Sequence, residues 1–330
     1  MVSSVTAAST ALTRIERERA FTEARRYAKK SRADATWRAY KSDWALFEAW
    51  CATVALRPLP ADSETVAMFV ASQATSGLSP STLTRRLAAI RLVHLGANHP
   101  SPHNTIQVTE VMRGIRRDWG KPAAKKQPAI DEEIKKMVDA IEPETAKGLR
   151  DRALLLFGFA GAFRRSELVG LDSWNLEERE EGVKVTIKHS KTDQEGQGQV
   201  IGIVRQVGSP YCPVQALGDW LTVSGIERGA LFRRMYRSDK VGESRLSAQS
   251  VAMVIKDRAH KAGLDSSRYS GHSLRSGFLT SAAKNRASIF KMADQSRHKS
   301  LDVLRRYVKD EDLFLDNAGE GLLGAARREP

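Results

Sequence analysis

Residues 271–307 read GHSLRSGFLTSAAKNRASIFKMADQSRHKSLDVLRRY. His272 and Arg275 are three residues apart, so they share one face if this segment is helical. His298 and Tyr307 follow in the same stretch. An arginine binds phosphate oxygens in a fork geometry, a histidine moves a proton near neutral pH, and a tyrosine can act as a covalent nucleophile. The stretch therefore indicates a phosphodiester site, although each of these residues alone is more often a packing residue.

A second cluster lies upstream, where the apolar run 153–160 leads into GAFRRSEL at residues 161–168. A charge at the end of a buried element needs a partner. Glu167 follows Arg164 by three residues and can orient it on a helix. If this segment stood alone, a surface arginine pair capping a core helix would be the simpler interpretation.

The two clusters resemble the tyrosine recombinases, the integrase family of site-specific recombinases, and look most like the Cre-type members. The family pattern is an arginine in R-x-S-E-L, a lysine in a β-hairpin, H-x-x-R, a later histidine or tryptophan, and a tyrosine. In this chain the pattern falls on Arg164, Lys191, His272, Arg275, His298 and Tyr307. Lys188 competes for the hairpin position, and His298 stands where Cre has tryptophan. The resemblance covers nearly the whole chain.

Composition narrows the class of partner. The chain has 330 residues, 41% of them hydrophobic, and a formal net charge of +14, which favours nucleic acid over an acidic membrane. No apolar run approaches the ~20 residues of a membrane span. Cys51 and Cys212 form no metal or disulfide pattern, which fits a reducing compartment. We expect a cytoplasmic, DNA-bound protein.

Residues 34–120 are predicted to form a bundle of about four helices, preceded by an arm, residues 1–33, that is either mobile or partly helical. Apolar residues recur at helical spacing, as in the stripe of Trp37, Tyr40, Trp44 and Phe47, which we expect to be buried. A basic linker, residues 121–129, follows. Basic helix faces are usually only solvated, but in this chain they favour contacts with the DNA backbone. The predicted surface DNA-binding residues are Arg85, Arg86, Arg91, Arg113, Arg116, Arg117, Lys121, Lys125 and Lys126.

Residues 130–330 are predicted to form the catalytic domain. Its fold class is mainly α with a small antiparallel β-sheet, because segments 182–189 and 198–204 alternate apolar and polar residues like paired strands. Segment 228–245 reads as irregular and basic. A last helix, about 312–323, is richer in apolar residues than a free tail. It resembles the family's C-terminal helix, which packs into a neighbouring protomer, although it could instead fold back on its own domain.

The resemblance implies a two-domain DNA clamp and a covalent mechanism. Tyr307 would attack a DNA phosphodiester and leave a 3′-phosphotyrosine and a free 5′-hydroxyl. Arg164, Arg275 and His298 would stabilise charge on the phosphate, and the cationic pocket would favour the phenolate of Tyr307. Lys191 would protonate the leaving oxygen, His272 would assist proton transfer, and Glu167 would orient the cluster. Neither a cofactor nor a metal is expected.

The same resemblance implies a homotetramer on double-stranded DNA with inverted-repeat target sites, exchanging strands through a Holliday junction. One alternative is the same cleavage chemistry with another outcome, as in a type IB topoisomerase or a telomere resolvase. Another is a DNA-binding protein that keeps the fold without catalysis. The intact set of site residues argues against the last alternative.

Overall fold

A computed structural model describes residues 14–119, 126–142, 144–187 and 198–311 of the chain. The chain divides into two compact units, Met1–Ala124 and Lys125–Pro330, and each is described by itself. No helix among the described residues is long and apolar enough to cross a membrane.

The first unit is helical throughout its described part. Its helices are α1 Arg14–Lys30, α2 Asp34–Thr53, α3 Ser63–Thr75, α4 Pro80–Gly96 and α5 Ile106–Trp119. Short polar residues begin two of them: the Asp62 carboxylate accepts a hydrogen bond from the Thr65 N–H at 2.7 Å, and Ser79 caps α4. Phe47, Phe69, Leu83 and Ile90 are fully buried in the core. The predicted bundle is therefore confirmed, with α1 as an additional exposed helix.

Two predictions for this unit were wrong. Arg86 is buried, with 8% of its surface exposed, because the buried carboxylate of Asp43 lies beside it and offsets its charge. Its guanidinium also lies over the Phe69 ring. Arg85 is half-exposed and donates to both Asp43 oxygens at 2.7 and 2.9 Å. The aromatic stripe of α2 is also less buried than expected: Phe47 is enclosed, whereas Trp44 is only partly buried.

The second unit places helices around a three-stranded antiparallel sheet. Its helices are α6 Asp131–Asp139, α7 Ala146–Ala160, α8 Arg165–Gly170, α9 Pro213–Ser224, α10 Ala248–Lys261, α11 Ser273–Lys284, α12 Ile289–Ser296 and α13 Leu301–Glu311. The sheet has the order β1-β2-β3, with β1 Leu176–Arg179, β2 Gly182–Ile187 and β3 Gln199–Val204. In its register Val183 pairs with Ile203, and both side chains face the core. The mainly α fold with a small antiparallel sheet is confirmed.

Segment 228–245 is not irregular. It contains a hairpin of β4 Arg233–Met235 and β5 Val241–Arg245. The pattern escaped detection because these strands carry charged residues instead of alternating apolar ones. Arg245 fastens the hairpin by donating to the carbonyls of Val169 and Leu171 at 2.7 and 3.1 Å.

Candidate active site

The turn between α7 and α8 places Arg164 at the edge of the core. Gly161 ends α7, and a Cβ on it would lie 2.1 Å from the Phe163 ring, so the close approach requires glycine. Arg164 then precedes α8. Glu167 folds back to accept from the Arg164 backbone N–H at 2.9 Å and from its Nη1 at 2.5 Å. This contact leaves the Arg164 side chain 19% exposed, at the entrance of the site.

Arg275 lies at the centre of the site, in the first turn of α11. Arg275 is only 1% exposed, and its Nη1 donates to the Ala162 carbonyl at 2.9 Å. Burial, followed by the charges of Arg164 and Arg297, lowers the pKa of Arg275 to about 9. Among the described residues Arg275 forms no ion pair with a carboxylate. A buried, unneutralised guanidinium favours binding of an anion.

His298 follows α12 and lies against Arg275. The Arg275 Nη2 is 3.3 Å from His298 Nδ1 and 3.4 Å from Nε2, and Ser296 Oγ is 2.7 Å from Nδ1. Burial, then Arg275 and Arg164, lower the pKa of His298 to about 4. The same causes lower the pKa of His272, which precedes the first residue of α11. Both imidazoles are therefore neutral at physiological pH in the unliganded site.

Tyr307 reaches the site from α13. Its ring packs against a small apolar cluster of Leu279, Ala283, Met292 and Leu304. Burial raises the pKa of the phenol, and the nearby charge of Arg275 offsets only part of this effect. The expectation that the cationic pocket favours the phenolate was thus wrong for the unliganded protein, because desolvation outweighs the charge.

The structure brings five of the six predicted catalytic residues together, from α8, α11, α12 and α13. Arg275 interacts electrostatically with Arg164 and Tyr307, and His298 with His272. Lys191, and its competitor Lys188, lie outside the described residues. Among the described residues there is no group of three or more His, Cys, Asp or Glu that could hold a metal ion.

Sequence reasoning missed two neighbours of the site. Arg297 is buried and pairs with Glu167 at 2.8 Å. Gln295 donates to the carbonyls of Ala160 at 2.8 Å and Gly202 at 3.0 Å, which ties α12 to α7 and β3. The position of Arg297 next to His298 was the available sequence signal for Arg297. However, no local pattern distinguishes an arginine that points into the core from a solvated one.

The segment that enters the second unit lies directly on α11. Gln127 N–H donates to the Arg268 carbonyl at 2.8 Å, and Ala129 N–H donates to the Ser273 carbonyl at 3.0 Å. Gly277 permits this approach, because a Cβ there would lie 1.8 Å from the Ala129 carbonyl oxygen. The helix that carries Arg275 is therefore held by residues 127–129, the last residues of the predicted linker.

The predicted DNA-binding residues have different surroundings. Arg113 is exposed and pairs with Glu110 at 2.6 Å, and Arg117 is exposed. Arg91 and Arg116 line a small cavity of about 250 Å³ in the first unit. In the second unit Lys126 donates to the Ser267 carbonyl at 2.7 Å. Lys121 and Lys125 lie outside the described residues.

An apolar groove of about 740 Å³ lies beside the catalytic cluster in the second unit. Phe159, Val200, Phe278 and Met292 line it, and Lys135 and Lys291 also contribute to its lining. Asp131 and Asp294 line it as well. A groove of this kind is suited to bind an apolar segment. The last predicted helix, residues 312–323, lies outside the described residues.

Comparison with known proteins identifies relatives along the chain. A model described as the phage integrase family matches residues 130–313. The integrase/recombinase XerD homolog of Selenomonas ruminantium is 38% identical over 304 residues, covering 91% of this chain and 89% of the relative. Tyrosine recombinase XerC of Xylella fastidiosa (strain 9a5c) is 26% identical over 297 residues, covering 88% of this chain and 91% of the relative.

Two solved structures share the fold. XerH site-specific recombinase bound to a palindromic difH substrate matches with a TM-score of 0.58 at 19% identity, covering 77% of this chain and 70% of that one. A lambda integrase dimer bound to a COC′ core site matches with a TM-score of 0.58 at 14% identity, covering 91% of this chain and 98% of that one. At these identities the likeness concerns the fold alone.

Proposed function

The chain belongs to the phage integrase family and is a tyrosine recombinase, a site-specific enzyme that cleaves and rejoins DNA, and we propose that it acts through a 3′-phosphotyrosine intermediate. Arg275 is the observation that carries this proposal. Its buried guanidinium lies among Arg164, His298 and Tyr307, and among the described residues no carboxylate forms an ion pair with it. A phosphodiester supplies the missing negative charge next to the nucleophile.

In the cleavage step the Tyr307 Oη attacks the phosphorus and the bond from phosphorus to the 5′-oxygen breaks. The phenol proton passes to His272, whose neutral imidazole is ready to accept it. Lys191 gives a proton to the leaving 5′-oxygen. The 5′-hydroxyl of a second strand reverses these steps and releases Tyr307. The phosphate ester energy is retained in the protein link, so rejoining needs no nucleotide.

Bound phosphate changes the proton balance of the site. Arg164 and Arg275 donate to its non-bridging oxygens, as preorganised donors do in other enzymes with developing charge. Burial lowers the pKa of His298 most, and repulsion by Arg275 and Arg164 adds to it. The negative charge of phosphate opposes this repulsion, so the imidazole gains a proton and becomes a third donor. Glu167 remains an orienting group.

DNA binding is assigned to basic residues of both units. Arg91, Arg116 and Arg117 of the first unit bind the DNA backbone, and Lys121 and Lys125 of the predicted linker supply further positive charge. Arg85 is held in place by Asp43 and presents its exposed half. Arg86 is excluded from this role because it is buried. The two units act as a clamp around inverted-repeat sites.

The assembly is a homotetramer on two DNA sites, with strands exchanged through a Holliday junction. Residues 312–323 of one protomer occupy the apolar groove of its neighbour. Leu313, Phe314 and Leu315 are the apolar residues at the start of this segment. Each protomer thereby gives one segment and receives one.

A covalent-trapping assay tests the chemistry. Nicked DNA fragments from the region around the gene are mixed with the protein, quenched in detergent and scored for protein-linked DNA, with a chelator present. We expect a linked species that Tyr307→Phe abolishes and Tyr236→Phe, an exposed control, retains. DNA binding without any linked species would contradict catalysis. Relaxed circles or hairpin ends, in place of recombinants, would indicate topoisomerase or telomere-resolvase activity.

A further inference from the structure

Arg297 occupies a backbone conformation that usually requires glycine. It directly follows α12, and its φ is +59°. A residue at this position of a helix end is commonly glycine, because a side chain is strained there. The arginine side chain is nevertheless only 2% exposed. Strain of this kind persists where the surroundings hold the residue firmly, and it clusters at functional sites.

The guanidinium of Arg297 joins the end of α12 to the turn that precedes Arg164. Its Nη1 donates to the Gly161 carbonyl at 2.9 Å and to the Gln295 carbonyl at 2.6 Å. Its Nη2 donates to the Ala162 carbonyl at 2.9 Å and to Glu167 Oε2 at 2.8 Å. The group also lies 5.2 Å from the centre of the Phe163 ring.

Two of these acceptors are shared with residues of the candidate active site. The Ala162 carbonyl accepts from both Arg297 and Arg275, each at 2.9 Å. The Glu167 carboxylate accepts from Arg297 on one side and from Arg164 on the other. Arg297 therefore contacts the supports of both active-site arginines, and both of its Nη atoms donate to acceptors within the protein.

We propose that Arg297 is a positioning residue, which holds Glu167 and the Gly161–Ala162 turn so that Arg164, Arg275 and His298 meet on one phosphate. The inference rests on the proposed cleavage function. Arg297 acts through its neighbours and touches no substrate atom. Arg297 precedes His298 in the chain and is hydrogen-bonded to the turn that precedes Arg164. It therefore sets the distance between Arg164 and His298.

The charges around Glu167 give this role a measurable signature. Burial disfavours the ionised carboxylate, but Arg297 first, and then Arg164, keep the pKa of Glu167 below its usual value. The facing charged groups are Arg164 from α8, Arg275 from α11 and Arg297 after α12. Without Arg297 the pKa of Glu167 rises, and a protonated Glu167 no longer holds Arg164 by an ion pair. Cleavage then increases with pH as Glu167 ionises.

The test uses Arg297→Gly, which suits the backbone and removes the guanidinium, and Arg297→Lys, which keeps the charge without the fork. Arg286→Gly is the matched control, because Arg286 also has a positive φ, of +55°, and is exposed. Single-turnover formation of the covalent species is measured across pH, together with DNA affinity and thermal unfolding. A carbon-13 NMR titration of Glu167 reports the same contact without cleavage.

We expect Arg297→Gly to slow cleavage by about 10²-fold, as for a misplaced reacting group, and to add a rise of rate with pH. Arg297→Lys should slow it less and keep a flat profile, and Arg286→Gly should match the parent. Cleavage within twofold of the parent with an unchanged Glu167 titration would overturn the inference. If Arg297→Gly does not fold, an unchanged cleavage rate in Arg297→Lys and in Glu167→Gln would overturn it instead.

Failure of the proposed function gives a different result. If the parent protein forms no covalent species, the cleavage proposal is contradicted. The Glu167 titration still decides the role of Arg297 in that case, since a raised pKa in Arg297→Gly supports the positioning contact and an unchanged pKa removes it.

Discussion

Asp151 and Glu167 are buried carboxylates of the second unit, and each is held by two arginines. Asp151 accepts from Arg150 at 2.5 and 2.9 Å and from Arg258 at 2.6 and 2.9 Å, and all three residues are at most 4% exposed. This cluster ties α7 to α10. Its guanidinium groups face the carboxylate between them, so it is closed to a ligand.

The Glu167 cluster has the same composition but is open. Arg164 is partly exposed, and Arg275, a third arginine, adjoins it without an ion pair to any carboxylate of the described residues. A pair of arginines around a carboxylate is therefore structural at Asp151 and part of a binding site at Glu167. The difference is the additional buried charge of Arg275.

Removing that additional charge should have the largest effect. Arg275→Met is expected to reduce single-turnover cleavage by at least ~10²–10³-fold, the loss that follows removal of one preorganised donor. The folded protein should become more stable, because burial makes the charged guanidinium unfavourable.

Cleavage assays and denaturant unfolding on the same preparations check the Arg275 prediction. Arg286→Met, at an exposed position, is the control for loss of a positive charge. A marked loss of stability in Arg275→Met would contradict it, because Arg275 would then be a structural arginine like Arg258.

The closed cluster should respond in the opposite way. Asp151→Ala leaves Arg150 and Arg258 buried without a partner and is expected to destabilise the second unit by about 3–5 kcal/mol. Asp257→Ala is the matched control, because Asp257 is 46% exposed and lies 3.7 Å from the same Arg258. Denaturant unfolding measures both. Equal effects of the two substitutions would mean that burial of Asp151 does not matter.

The smallest expected effect concerns pH and His298. In the unliganded protein its pKa is about 4, against 6.5 for the unperturbed group, so the unfolded chain binds the proton first. Stability should therefore fall as pH decreases from about 6.5 to 4, and His298→Gln should lose part of this dependence. His272 contributes the remainder in the same direction.

NMR of the His298 imidazole with and without DNA sharpens the same prediction. Phosphate in the open cluster should raise the pKa of His298. An unchanged His298 on saturating DNA would place the phosphate elsewhere.

Helices and the main sheet were predictable because their signals are local. Periodic apolar residues and short polar caps such as Asp62 and Ser79 mark helix starts, and alternation marks β2 and β3. The hairpin of β4 and β5 was missed because charged residues carry it, and its anchor, Arg245, bonds to carbonyls of a distant turn. Likewise, Arg86 reads as a surface residue until Asp43 is placed beside it.

Residue types and their spacing along the chain were enough to identify the family, the expected chemistry and the candidates Arg164, His272, Arg275, His298 and Tyr307. The charge states of these residues and the contacts that support them depend on the packed fold. Burial, not spacing, makes His298 neutral and raises the pKa of Tyr307. Arg297 turns inward because Glu167 and two carbonyls from a turn far away in the chain accept its hydrogen bonds. Desolvation and long-range hydrogen bonds depend on the packed fold, and no local pattern records them.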